Sequence, residues 1–309
     1  MDLRTILWVI GMGITSGTPL LFTAIGEVLA ERSGVLNLGL EGLMLMGAIT
    51  GYMTTSLTGD KWIGLLAVIV VCGLLGAILA LLMVTLRANQ IATGIAFTIF
   101  CIGLSDLIGK PYVGMVTKDS FMKIRMGFLD GVPMLKPIFE QDILVYLAIL
   151  LCIGAWFFVY KTKAGLHLRV AGDNPSTLDS LGVSVFKVRY TYIIVGSILA
   201  GIGGAYLSLA YSPSWIEGMA AGRGWLTIAL VNFALWKPQN TIIGAYLFGI
   251  FYALSYRLEA MGIAVPSHFL RMFPYVLPIV ILILVSWRTK QKGSFIPKAL
   301  DIPYTRGSK

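Results

Sequence analysis

The chain has 309 residues, 57% of them hydrophobic and 13% charged, and a mean hydropathy of +0.83. Uncharged runs such as 62–86 and 190–216 are long enough to cross a roughly 30 Å hydrocarbon core, which excludes a soluble globular domain; the lack of period-two alternation excludes a β-barrel. The net charge of +9 is spread between the apolar runs, as in the loops of a membrane protein, so a nucleic-acid partner is not expected.

The apolar runs predict an all-α, polytopic membrane protein of about nine spans. They lie near 3–25, 34–56, 62–86, 90–109, 142–160, 190–211, 223–236, 240–257 and 272–287. A single membrane domain, 1–287, is then followed by a basic tail, 288–309. The first span starts almost at Met1 and lacks a small-residue cleavage site, so it reads as a retained span and not as a signal peptide.

The second span opens with four glycines, an amide and a carboxylate within 34–48. Asn37 and Glu41 are four residues apart, and on one helix they would share a face. A carboxylate facing lipid costs on the order of 2.5–3.5 kcal/mol, so Glu41 should face protein or a wet cavity. It either fastens helices together or stands beside a translocation path.

Cys72, Cys101 and Cys152 fall inside apolar runs and read as small hydrophobic residues. His167 and His268 are too few and too far apart in sequence to suggest a metal site. The stretch Gly103-Leu104-Ser105-Asp106-Leu107-Ile108-Gly109-Lys110-Pro111 is spaced one residue too long for a phosphate loop. Pro111 also stands where Ser or Thr is required, so the motif fails and no nucleotide-hydrolysing machinery is expected here.

Lys161, Lys163, Arg169, Lys187 and Arg189 between the fifth and sixth spans, with the basic tail, place both regions in the cytoplasm and Met1 outside. The segment 110–141 is then external, although it carries Lys110, Lys118, Lys123, Arg125 and Lys136. Its Pro111, Gly114, Gly127, Gly131, Pro133 and Pro137 break regular structure and predict either an ordered external cap or a solvated linker.

Within the cytoplasmic loop, 161–189, the run Ala171-Gly172-Asp173-Asn174-Pro175-Ser176-Thr177-Leu178-Asp179-Ser180-Leu181-Gly182 encodes a short helix. Asn174 is a favoured N-cap, Pro175 fits the first helical position, and Gly182 fits the left-handed C-terminal cap. Leu178 and Leu181, three apart, predict a small apolar face. So short a helix needs a partner surface, whether its own membrane domain or another protein. Further on, span seven is short and Pro238 follows it, the pattern of a re-entrant or broken helix.

The pairing of Glu31-Arg32-Ser33-Gly34-Val35-Leu36-Asn37-Leu38-Gly39-Leu40-Glu41-Gly42 with Ala171-Gly172-Asp173-Asn174-Pro175 resembles the permease subunits of bacterial ABC importers. The relevant branch is the branched-chain amino acid, ribose and simple-sugar permeases. The block Ala221-Gly222-Arg223-Gly224-Trp225-Leu226-Thr227-Ile228-Ala229-Leu230, followed by Trp236-Lys237-Pro238, is also similar to that branch. The form of the first block looks most like nucleoside permeases that work with a basic-membrane-protein-type binding lipoprotein. Ala234 stands where the family often has glycine.

The resemblance implies a non-enzymatic transport subunit in the bacterial cytoplasmic (inner) membrane, with several partners. These are a second and different permease, an ABC ATPase that binds the ATP, and an external binding lipoprotein; the chain itself needs no cofactor. The short loop helix would be the coupling element seated in the ATPase, formed by Asp173, Asn174, Pro175, Leu178, Leu181 and Gly182. Nucleosides present hydroxyls, base edges and a flat face, so Asn37, Glu41, Thr93, Trp225, Asn232 and Phe233 are candidates for the pathway. Another sugar-like solute or riboflavin is the alternative cargo, and a secondary transporter the alternative mechanism.

Overall fold

Residues 3–117, 119–127, 131, 133–261, 272, 276, 283 and 296–306 are described by the structure, a computed structural model. Their helices run in the order α1 Leu3–Arg32, α2 Leu40–Thr58, α3 Lys61–Ala80, α4 Gln90–Gly109, α5 Lys136–Phe139 and α6 Ile143–Lys161. Then come α7 Lys163–Asp173, α8 Pro175–Ser180, α9 Val185–Tyr206, α10 Arg223–Phe233 and α11 Pro238–Ala260. Helices α3 and α9 each continue through a π-helical turn, Leu81–Thr85 and Leu207–Tyr211.

On α3, Leu66, Val70, Leu74 and Ile78 are exposed and four residues apart, so they form one apolar stripe along the outside. Ile91, Ile95 and Ile99 repeat the pattern on α4, and Leu150, Ile153 and Phe157 form a similar face on α6. Exposed apolar stripes of this length belong in lipid. Six helical stretches among the described residues are long and apolar enough to cross a membrane: Leu3–Arg32, Lys61–Thr85, Gln90–Tyr112, Ile143–Lys161, Val185–Tyr211 and Pro238–Ala260. The chain is a multi-pass membrane protein.

Helix α2 occupies the centre and is not one of the six. Every residue from 40 to 52 is buried, packed among α3, α4, α9 and α10. A helix sheathed by protein needs no uniformly apolar surface, so it can carry Glu41, glycines and threonines. Gly47 lies directly against Gly201 of α9, which brings the two central backbones into contact. Helix α9 is 78% buried in its apolar window against 28% for α3, so α9 is the second central element.

The expected bounds of two spans are corrected. Helix α1 does not stop near 25 but runs through Arg32. Gly34, read as the start of the second span, instead ends the first. It has φ +90°, its N–H donates to Glu31 O at 2.9 Å, and Val35 N–H donates to Ala30 O at 3.3 Å. That pair of bonds is the Schellman cap, for which glycine is the favoured residue. Helix α2 accordingly begins at Leu40, not 34. Span seven is short, as expected: α10 is an α-helix of only 11 residues, about 16 Å long and too short to cross alone. The ninth expected span, 272–287, apart from 272, 276 and 283, lies outside the described residues, as do His268 and the tail positions 288–295 and 307–309.

The two loops assigned to opposite sides do lie at opposite ends of α1. Gly11 packs on Pro137 at one end, and Gly172 packs on Arg32 at the other. Much of the segment 110–141 is docked. Thr117 N–H donates to Pro213 O at 3.2 Å and Phe121 N–H to Leu209 O at 2.9 Å, while Lys61 pairs with Asp119 at 2.9 Å. Those Lys61 bonds hold the Asp119 carboxyl below the usual carboxylate range.

Candidate functional site

Two short helices, α10 and α8, hold most of the residues that the sequence marks for function. Helix α10 completes a discontinuous span. After α9 the chain runs irregularly through 212–222, with Trp215 and Ser214 bridging to Val113 and Val116 at the α5 end of α1. It becomes helical again at Arg223, whose neighbour Gly224 lies against the first turn of α2.

Glu41 makes that junction. One carboxylate oxygen accepts from Gly222 N–H and the other from Gly224 N–H, both at 2.7 Å. These are among the otherwise unpaired N–H groups at a helix start, and the carboxylate also meets the positive end of the helix dipole. Gly224 permits the approach: a Cβ there would sit 2.3 Å from Glu41 N and 2.5 Å from its Cα. Glu41 is therefore a fastener between α2 and α10, with both oxygens engaged.

Arg223, buried beside the same junction, donates to Met219 O and Ala220 O at 3.2 Å. Its guanidinium also lies over the rings of Tyr211 at 5.7 Å and Tyr252 at 4.8 Å. A cation at a helix start opposes the dipole, and these carbonyls and ring faces offset the cost. The other end of α10 is fastened as well. Trp236 Nε1 donates to Glu31 Oε2, and Arg32 Nε donates to Trp236 O at 2.9 Å. The reversal there needs positive φ at Leu235 and Trp236. Ala234 itself keeps φ −70°, so alanine is unstrained there.

The predicted pathway residues do not form one cluster. Asn37 lies in the turn before α2, so it does not share a helical face with Glu41 as expected. Its Oδ1 accepts from Gly39 N–H at 2.8 Å, and its own N–H donates to Glu27 Oε1 at 3.1 Å. Asn232 Nδ2 bonds back to Ile228 O at 3.0 Å. Phe233 packs toward Gly244 of α11. Thr93 sits in the first turn of α4, next to Gly94, which meets Leu38. Trp225, in contrast, is 44% exposed one residue after Gly224. The sequence reading missed Glu27, Glu31, Arg32 and Arg223. The first two are fully buried and one turn apart on α1; ending the first span at 25 hid them.

Helix α8 has the predicted caps. Asn174 Oδ1 accepts from Thr177 N–H at 3.2 Å, Pro175 is the first helical residue, and Gly182 has φ +78°. Gly182 N–H donates to Asp179 O at 2.9 Å and Val183 N–H to Leu178 O at 3.3 Å, again a Schellman closure. Asp173 ends α7 immediately before the cap. The shared apolar face is corrected: Leu178 is completely buried with Ala171 and Val185, whereas Leu181 is 69% exposed. In so short a helix the Schellman contact of Leu178 with Val183 turns Leu178 inward.

Against protein families, the model described as branched-chain amino acid transport system / permease component matches residues 9–286. The chain belongs to this family. It is 35% identical to the putative glucose ABC transporter permease protein TsgC13 of Haloferax volcanii, over 95% of this chain and 96% of that one. Identity is 31% to the guanosine ABC transporter permease protein NupQ of Bacillus subtilis, covering both chains completely. It is also 31% to the nucleoside ABC transporter permease protein NupC of Lactococcus lactis, over 94% of each. Both of these bacteria hold a second, more distantly similar ABC permease. No solved structure matches the chain. As a permease component it is a transport subunit, and the capped helix α8 and the broken span of α10 are the family member's two short elements to explain.

Proposed function

We propose that this chain is the permease subunit of an ATP-driven nucleoside importer in the bacterial cytoplasmic (inner) membrane. It works with a second, different permease, an ABC ATPase that binds and hydrolyses ATP, and an external substrate-binding lipoprotein. The chain needs no cofactor of its own and performs no chemical step. The full-length similarity to guanosine and nucleoside permeases supports the cargo, and the second permease in each of those bacteria supports the heterodimer.

The observation that carries the mechanism is the discontinuous span. A half-helix whose start is fastened by Glu41 is a fixed edge beside which the exposed Trp225 ring offers a flat face to a base. Interrupted helices of this kind are where transporters place their solutes. Helix α8, a capped peg with Leu181 outward, transmits the ATPase movement to the membrane domain as a rigid body.

The test is uptake of labelled guanosine into proteoliposomes holding both permeases and the ATPase. Trp225→Ala should lower uptake roughly tenfold at limiting solute, the scale of one lost base–aromatic stack, and Trp225→Phe should restore most of it. Unchanged uptake in Trp225→Ala would remove the ring from the pathway. A second reading, a sugar cargo, is favoured by the 35% identity to the glucose permease relative. Excess glucose that abolishes guanosine uptake would decide for it.

A further inference from the structure

Arg189, near the start of α9, is 2% exposed and spends its guanidinium on backbone carbonyls far away in sequence. Nε donates to Ser33 O at 3.2 Å, Nη1 to Ile302 O at 2.9 Å and Nη2 to Ala299 O at 3.5 Å. The first acceptor lies in the turn after α1. The other two lie in segment 296–306, which the membrane domain does not need for its spans. That segment makes three further attachments around α8. Ala299 N–H donates to Gly172 O at 2.8 Å, the Tyr304 ring meets Phe186 edge-on at 5.8 Å, and Arg306 pairs with Asp179 of α8 at 3.2 Å. Tyr304 also packs against the cluster of Ala171, Leu178 and Val185.

We propose that segment 296–306 is a strap that seats α8 on the membrane domain, with Arg189 as its positioning residue. This rests on the coupling role given to α8 above. A helix of six residues has little stability of its own, and its caps fix its shape without fixing its position. A peg transmits force only if its base is held. Leu178 alone gives α8 one buried contact; the strap closes the other side, and Arg189 ties strap, α9 and the end of α1 into one body. The Arg306–Asp179 pair is exposed and contributes little by itself. The Arg189 bonds to Ser33 O and Ala299 O are buried and the bond to Ile302 O is part-buried, so leaving the first two carbonyls unpaired is costly.

The experiment uses the complete importer in proteoliposomes, with labelled guanosine as solute and ATP hydrolysis measured in parallel. Arg189→Lys keeps the charge but cannot reach three carbonyls at once. It and a chain ending at 295 should both assemble and keep the wild-type KM for guanosine, while ATP hydrolysed per guanosine moved rises about tenfold. Cross-linking Phe186→Cys to Tyr304→Cys in the Arg189→Lys chain should bring the ratio back, and reductant should abolish the rescue. A purely structural role would lower the yield of folded complex without moving the ratio per complex. Leu181→Asp separates the two readings. If Leu181→Asp uncouples while both strap variants keep the wild-type ratio, the strap proposal is overturned alone. If Leu181→Asp also retains wild-type ATPase association and ratio, the coupling role of α8 falls first.

Discussion

Helices α10 and α8 are both short, and their starts are held in opposite ways. At its start α10 takes its partners from another helix: Glu41 lies 181 and 183 residues from the two N–H groups it accepts, whereas its far end closes locally, through Leu235 N–H to Asn232 O and Trp236 N–H to Val231 O. Helix α8 supplies its own, with Asn174 at one end and Gly182 at the other. The difference follows from solvent. Inside a bilayer no water satisfies the start of a broken helix, so its N–H groups must borrow from a neighbour. At the surface, a side chain three residues away serves as well as any distant one.

The contrast can be broken hardest at Gly224. Gly224→Ala would put a methyl group into the Glu41 backbone, where no side chain can give way, and should abolish folded complex on size-exclusion chromatography. Glu41→Ala leaves one buried and one part-buried N–H group unpaired and should cost about 3–6 kcal/mol, at 1.5–3 for each charge-assisted bond. Glu41→Gln keeps one carbonyl acceptor and should lose about half of that, seen as an intermediate melting temperature of the solubilised complex. A Glu41→Ala protein as stable as wild type would show that α10 does not depend on α2.

On the other side of the comparison the effects are local and smaller. Asn174→Ala should cost about 0.5–2 kcal/mol of α8 stability. Gly182→Val should cost about 1–2 kcal/mol, all of it backbone strain, because a Cβ there meets nothing within 4 Å. Hydrogen exchange across 175–183 should speed up in both variants while α10 keeps its protection. Faster exchange in α10 as well would mean that the two regions are not independent.

The smallest effect concerns the docked segment 110–141. Its Asp119 carboxyl is held below the ordinary value by the hydrogen bonds from Lys61. The anchoring is therefore complete above the unfolded carboxylate pKa and is lost as pH falls through the lowered folded value. Protease nicking within 119–127 should increase only below the normal carboxylate range. In Lys61→Met that acid-dependent step should vanish, leaving nicking elevated at neutral pH.

Much of this was legible from residue order. Lipid-facing stripes such as Leu66, Val70, Leu74 and Ile78 announce a membrane protein. Asn174, Pro175 and Gly182 announce α8 to the residue, because caps act over three or four positions of chain. What residue order could not assign was the end of α1. Gly34 suits the closing of one helix as well as the opening of the next, and only the bonds to Glu31 and Ala30 decide. Glu27 and Glu31 were thereby left out of the membrane interior, and Asn37 was placed on a helix it precedes.

By itself, then, the sequence determined that this protein spans a membrane many times, that span seven is too short, and where the peg of α8 begins and ends. Those properties depend on hydropathy and on capping, which are local. Only the tertiary structure decided that α2 is central and not lipid-facing, that Glu41 holds the start of α10, that Leu178 faces inward and that Arg189 gathers segment 296–306. The first and third depend on which faces the packing covers, and the second and fourth on which backbone groups remain unpaired after every helix has formed and which distant side chain the packing brings to them.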